Sequence, residues 1–308
     1  MVEVSTISGT VLRRRTTFYR RNKLVIMPLV FIAPAFAMFS LFVIYPIMQS
    51  IALSFMEWQG IGPKKWIGLN NYRELFGDPV FWKALVNNVY WLVLFLLGPV
   101  LGLFIALFLN QNVFGIRLVK SLFFFPFVVS QIVVGLVFAW FYDPAFGLLA
   151  TMLKPIGVKF PAILASEDWA TIGIIVAGLW PQTAYCMILY LTGLNSVNPE
   201  MIEAARLDGA KGWRLLVKIV LPQLRAATFI AMVVTVIGAL RSFDLVAVMT
   251  GGGPYNSSNV LAFYMYDNAI FRYRMGYASA IATILFLIMD LYIAWFLMRL
   301  LKNEKGNH

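Results

Sequence analysis

The chain has 308 residues, 61% of them hydrophobic and only 13% charged, with a mean hydropathy of +0.79; a soluble domain carries about 45–50% apolar residues, so these proportions exclude a water-soluble fold and point to a membrane protein. The formal net charge of +11 does not mark a nucleic-acid binder, because the basic residues lie between long apolar runs rather than on one wet face. The single cysteine, Cys186, lies in an apolar run and the single histidine, His308, is the last residue, which excludes a disulfide framework, thiolate or HExxH metal sites and histidine triads; neither a metal site nor a catalytic centre is expected.

A helix needs about 20 predominantly apolar residues to cross roughly 30 Å of hydrocarbon. About six segments qualify, centred on residues 25–47, 85–109, 122–140, 172–194, 227–248 and 277–298. The expected fold is therefore an all-α polytopic membrane protein. The first segment follows a basic run, Arg13, Arg14, Arg15, Arg20, Arg21 and Lys23, and contains Ala35-Phe36-Ala37, which mimics a signal-peptidase site. Apolar character continues to Phe55, whereas a cleaved signal has a hydrophobic region of about 7–15 residues, so the segment reads as a retained span. In the second segment Gly98 and Gly102 fit a small-x-x-x-small packing motif. Pro126 is placed to kink the third.

Loop charge sets the expected topology. With the N-terminus inside, the inner segments hold that basic run, then Arg117 and Lys120, then Arg206, Lys211, Arg214, Lys218 and Arg225, and finally Arg299, Lys302 and Lys305. The outer loops hold Lys64, Lys65, Arg73, Lys83, Lys154, Lys159, Arg272 and Arg274. Sixteen basic residues inside against eight outside satisfy the positive-inside rule, so both termini are expected in the cytoplasm. The chain then divides into a basic N-terminal segment (1–24), a transmembrane domain (25–300) and a short tail (301–308). Trp58, Trp66, Trp82, Trp91, Trp140 and Trp169 lie near outer boundaries, where indole favours the headgroup zone.

Residues 196–222 form the longest inner loop and read as two short helices joined at a glycine. Asn198 suits an N-cap, Pro199 the first helical position, and Glu200 the positive end of the dipole. Gly209 suits a left-handed terminus. A second helix would place Trp213, Leu216, Val217 and Val220 on one stripe, with Arg214 and Lys218 turned away, until Pro222 stops it. Composition alone leaves this as an amphipathic connector on the membrane surface.

The residues themselves carry more. Glu203-Ala204-Ala205, Asp208-Gly209-Ala210 and Leu221-Pro222 resemble the EAA loop of binding-protein-dependent ABC importer permeases. Ala33-Pro34-Ala35, Tyr45-Pro46, Gly68-Leu-Asn-Asn-Tyr72, Asp78-Pro-Val-Phe-Trp82 and Thr250-Gly-Gly-Gly-Pro254 look like the sugar-type subgroup, specifically its maltose-permease-like first subunit. The likeness covers nearly the whole chain from Ala33 to about Ala280. It implies a prokaryotic inner-membrane permease whose cytoplasmic loop carries a coupling helix that docks into a groove on an ATPase. Glu203, Ala204, Ala205, Asp208, Gly209, Ala210 and Pro222 would carry that contact. The implied partners are a second homologous permease, an ABC ATPase dimer, an extracytoplasmic solute-binding protein and the membrane lipid, with a sugar or sugar derivative as solute. No G-x-x-x-x-G-K-S/T phosphate loop occurs in the chain, so ATP and its magnesium are expected in partner subunits.

Charged groups inside spans are costly, about 2.5–3.5 kcal/mol at the centre on the insertion scale, and are functional candidates. Arg241 and Asp244, three residues apart, would share one face of the fifth helix, where they either line the translocation path or serve packing. Asp290 suits a packing or partner-subunit role. Gln182, Thr183, Tyr185 and Tyr190 follow Pro181 in the fourth span, where proline frees a carbonyl and opens a kink; these side chains either meet sugar hydroxyls and ring faces or bridge helices. A polyol or glycerophosphodiester importer is the nearest alternative. An ion-coupled carrier using Asp244 or Asp290 is a second class. A membrane-embedded lipid-modifying enzyme is a third, for which the sequence lacks an acidic or histidine cluster.

Overall fold

The computed structural model describes residues 18–111 and 113–305, so Arg13, Arg14, Arg15, Asn307 and His308 lie outside the described residues. The chain separates into two compact units, residues 1–52 and 53–308. In the first, α1 (Phe18–Phe39) passes through Pro28 and Pro34 and a π-helical turn at Ser40–Ile44 into α2 (Tyr45–Leu53). The apolar stretch Met27–Leu53 is 27 residues long, sufficient to cross a bilayer.

The second unit is almost entirely helical. A two-stranded antiparallel hairpin, β1 (Met56–Glu57) with β2 (Lys65–Trp66), pairs Met56 with Trp66. It is followed by α3 (Asn70–Gly77), α4 (Pro79–Phe95) and α5 (Leu97–Leu109). Next come α6 (Ile116–Val128), α7 (Gln131–Phe141), α8 (Leu148–Leu153) and α9 (Ala170–Leu194). After α10 (Pro199–Leu207), α11 (Gly212–Leu215) runs through a π-helical turn at Leu216–Val220 into α12 (Leu221–Gln223). The unit closes with α13 (Arg225–Leu240), α14 (Asp244–Met249), α15 (Leu261–Tyr266) and α16 (Met275–Lys305).

Among the described residues four stretches are long and apolar enough to span a membrane as they stand, and counting each of two bent pairs as one span raises the number to as many as six. One of these bends and a separate helix break correct two expectations. The third span is not one helix kinked at Pro126: α6 runs through that proline, and the chain turns by 98° between α6 and α7 at Val129 and Ser130, both of which have extended backbone. The fifth does not run unbroken from 227 to 248. Helix α13 ends at Leu240, where the Ser242 hydroxyl donates to the Ala239 carbonyl (2.9 Å) and helps satisfy a terminal acceptor. Asp244 then opens α14, a placement that complements the positive end of the new helix. Arg241 and Asp244 therefore do not share a helix face, and no ion pair joins them among the described residues.

Close backbone approach explains the glycine spacing in α5. A Cβ on Gly102 would lie 2.6 Å from Cys186 Cβ and 2.8 Å from the Met187 nitrogen on α9, and one on Gly98 would lie 2.9 Å from Gln182 Cγ. Small residues thus bring the two helices together, as dispersion-driven packing in lipid requires. The opposite face of α5 exposes Val100, Leu101, Phe104 and Phe108. Of the six tryptophans assigned to the headgroup zone, Trp91 is a correction: only 1% of it is exposed, inside a core with Phe95, Ile174 and Val246.

The segment around Thr250 is a turn that leads into a buried stretch, Ser257 to Leu261, whose backbone must find partners. Asn87 Nδ2 on α4 donates to the Ser257 and Asn259 carbonyls (2.6 and 2.8 Å), and Asn88 Oδ1 accepts from the Leu261 N–H (2.9 Å). Beside it, Asp78 caps α4 through the Val80 N–H (2.8 Å) and accepts the hydroxyls of Tyr264 and Tyr277. Burial pushes the Asp78 carboxyl up, but the hydrogen bonds from Tyr264, Val80 and Tyr277 and the field of Arg272 outweigh it and hold it below the usual carboxylate range.

Candidate functional site

Two places concentrate chemistry, the connector after α9 and a cavity in the helix core. In the connector, Asn198 has extended backbone and its Oδ1 accepts the Glu200 N–H (2.8 Å), with Pro199 at the first helical position. Asn and Pro at these sites set the start of α10. The helix ends in a Schellman arrangement: the Ala210 N–H reaches the Ala205 carbonyl (2.8 Å), the Gly209 N–H reaches that of Arg206 (3.1 Å), and Gly209 has φ +83°. Gln223 ties the two arms together, accepting from the Asn198 N–H (3.0 Å) and donating to the Ile219 carbonyl (3.1 Å).

This geometry sorts the residues that the sequence grouped. Glu203, Ala204, Asp208, Gly209 and Pro222 are exposed, Ala210 is half-buried, and Ala205 is buried against its own chain. Leu207, which sequence reasoning passed over, is 90% exposed beside them, leaving an apolar knob without internal cover. Two details of the second arm differ from expectation. Trp213 and Val217 remain exposed, while Val220 is buried and Leu216 and Ile219 are half-buried, because the π-helical turn shifts the inward stripe. Pro222 does not end the helix; it lies in the first turn of α12, and the chain turns at Leu224, with a 76° bend between Gly212–Gln223 and α13.

The cavity, about 370 Å³, is bounded by α4, α7, α9, α13 and α14. Gln182, Arg241 and Asp244, separated in sequence, all line it, together with Trp91, Phe95, Gln131, Ser242 and Phe243. The break after α13 is what presents Arg241, Ser242 and Phe243 to this space. Gln182 Nε2 donates to Thr235 Oγ1 across α9 and α13 (2.7 Å), which fixes the amide beside the cavity. Trp91 Nε1 is buried with no hydrogen-bond partner among the described residues.

The other three residues of the sequence-derived path lie elsewhere. Thr183 lines a separate, largely apolar cavity of about 570 Å³ between α5, α6, α7 and α9. Tyr185 stacks on Phe127, with ring centroids 5.0 Å apart and planes 17° from parallel. Tyr190 is buried in a cluster with Met187, Leu194 and Leu224. Asp290 is exposed on α16. Sequence reasoning missed Trp91, Phe95, Gln131, Ser242 and Phe243 because they come from three separated segments; the signal that was present was a polar or charged residue within an apolar stretch, as for Gln131 and Ser242.

Residues 98–303 match the family model described as binding-protein-dependent transport system inner membrane component. The chain belongs to this family. The permease is 37% identical over 292 residues to the probable ABC transporter permease protein YurN of Bacillus subtilis, covering 92% of this chain and 99% of the relative. It is 34% identical to the multiple sugar-binding transport system permease protein MsmF of Streptococcus mutans, covering 81% of this chain and 87% of the relative. Among solved structures it resembles a chain of a bacterial ABC transporter involved in import of the acidic polysaccharide alginate, with a TM-score of 0.79 at 22% identity, covering 91% of this chain and 96% of that one. That likeness shows the fold, an all-α polytopic membrane protein; membership of the family makes the chain an inner-membrane component of an ABC transporter.

Proposed function

We propose that this permease carries a sugar or sugar derivative across the inner membrane, together with a second homologous permease. An ABC ATPase dimer drives it through the 196–222 loop, and an extracytoplasmic solute-binding protein supplies it. The chain itself is non-catalytic, with ATP and magnesium held by the ATPase subunits. The N- and C-termini lie in the cytoplasm, the arrangement favoured by the sixteen-to-eight distribution of basic residues. Relatives named for multiple-sugar, lactose and diacetylchitobiose transport support the solute class over a polyol or glycerophosphodiester. Membership of a binding-protein-dependent family argues against an ion-coupled carrier.

The observation that carries this reading is the cavity, which joins aromatic faces from Trp91, Phe95 and Phe243 to hydrogen-bonding groups from Gln182, Arg241 and Asp244. A sugar presents apolar ring faces and a belt of hydroxyls, and aromatic rings with a few converging polar groups match both. Trp91, which lines the cavity, has an indole N–H with no partner among the described residues; a solute hydroxyl that reached it would relieve a cost of about 1–3 kcal/mol. In Arg241→Ala, which removes a guanidinium with multiple donors, uptake should fall at least about tenfold, the loss of roughly one charged hydrogen bond, while the complex assembles normally. Unchanged uptake would remove Arg241 from the path. Loss of the assembled complex would assign it to packing.

A further inference from the structure

The helical arm Gly212–Gln223 lies 76° from the axis of α13. If α13 crosses the bilayer, an arm at that angle runs close to the membrane plane. Its exposed face is divided. Trp213 (67% exposed) and Val217 (40%) form an apolar strip four residues apart, while Leu216, Ile219 and Val220 turn toward the chain. Arg214 and Lys218 are exposed alongside that strip, and Lys211 and Arg225 are exposed at its two ends. Residues 211–225 contain no acidic side chain. The nearest carboxylates, on α10 and its terminus, are Glu200, Glu203 and Asp208, and among the described residues none forms an ion pair with the four bases.

We propose that this arm is an interfacial helix that binds anionic phospholipid headgroups. Trp213 and Val217 enter the boundary between headgroups and acyl chains, and Lys211, Arg214, Lys218 and Arg225 hold the lipid phosphates. An apolar strip bordered by cations, with an indole in it, fits that zone and suits neither hydrocarbon nor water. Continuing the arm as part of a span would carry Arg214 and Lys218 into the bilayer, where each is costly. Four cations without internal counter-charges are complementary to a surface of one sign. The proposal requires that α13 spans the membrane; it does not depend on the solute or on the ATPase contact.

The test uses the complete importer in nanodiscs of phosphatidylcholine, alone or mixed with phosphatidylglycerol. Cys186 is buried, so Trp213→Cys gives a selective site for a bimane fluorophore, and nitroxides near the headgroup on either lipid serve as quenchers. Quenching in the intact complex should be stronger from labelled phosphatidylglycerol than from labelled phosphatidylcholine. The excess should fall about fivefold for each charge removed in Arg214→Gln and Lys218→Gln, and should weaken in high salt. Equal quenching by the two lipids, unaffected by these substitutions, would overturn the anionic assignment. Quenching that appears only after the ATPase is stripped away would overturn the lipid assignment and show that a protein covers this face. Sugar uptake by the same variants reconstituted in sealed vesicles of the same lipids separates failure here from failure of the sugar reading.

Discussion

Asp78 illustrates how one side chain can hold several elements. It caps α4 and receives hydroxyls from α15 and α16, and these bonds keep its carboxyl below the usual carboxylate range. A depressed folded-state pKa means the ionised group contributes stability above the unfolded value, and that contribution is lost as pH falls through the folded one. Asp78→Asn should therefore lower thermal stability at about pH 7, by ~1 kcal/mol after allowance for partial exposure, with the difference shrinking below about pH 4. Melting curves of parent and variant across that range check the sign; a difference that is constant with pH would assign the effect to shape rather than charge. The sequence showed Asp78 only as part of a resemblance, because its partners lie nearly two hundred residues away. The cavity was legible in the same partial way. Gln182, Arg241 and Asp244 stood out as polar groups in apolar stretches, but nothing local separated them from Thr183, Tyr185 and Tyr190, whose destinations depend on which face of α9 meets which neighbour.

At the scale of elements, the period of apolar residues located the spans but not their breaks. Hydropathy averages over a window and is indifferent to two dihedrals at Val129 and Ser130, so α6 and α7 read as one segment; likewise α13 and α14 read through Arg241. The signals that did hold were stereochemical. Gly98 and Gly102 mark where α5 meets α9, and replacing Gly102 with Leu would force a side chain against the Cys186 Cβ and the Met187 backbone nitrogen. Overpacking costs about 1–3 kcal/mol where side chains can yield, and backbone yields less. Gly102→Leu should accordingly melt at lower temperature than the parent in the same detergent, whereas Val100→Leu on the exposed face of α5 should not. Gly209, with φ +83° and open space where a Cβ would point, poses the opposite case: a side chain meets no neighbour but disfavours the left-handed turn by roughly 1–2 kcal/mol. Glu203→Ala combined with Gly209→Val should leave the spans inserted, reduce the ATPase retained on purification and abolish the response of ATP turnover to loaded binding protein. Full retention and a normal response would reduce α10 to a connector.

For the molecule as a whole, the arrangement across the membrane rests on charge rather than on any contact. The basic residues on alternate loops differ by two to one, and short loops rich in lysine and arginine stay on the cytoplasmic side. If the first and last spans cross and both bent pairs are crossings, the six candidate spans return the chain to its starting side, and the prediction is that the N-terminus, the 196–222 loop and the C-terminus share the cytoplasmic face. Asn70, at the start of α3, is then on the opposite one. A cysteine placed at Asn70 should react with a membrane-impermeant maleimide added to intact cells, and a cysteine at Asn307 should react only after the cells are opened; buried Cys186 gives little background. If instead both sites were labelled from outside, one bent pair would be re-entrant and the number of crossings odd. The reverse pattern would invert the protein and place the 196–222 loop where no ATPase can reach it, and the coupling role of α10 would fall with it.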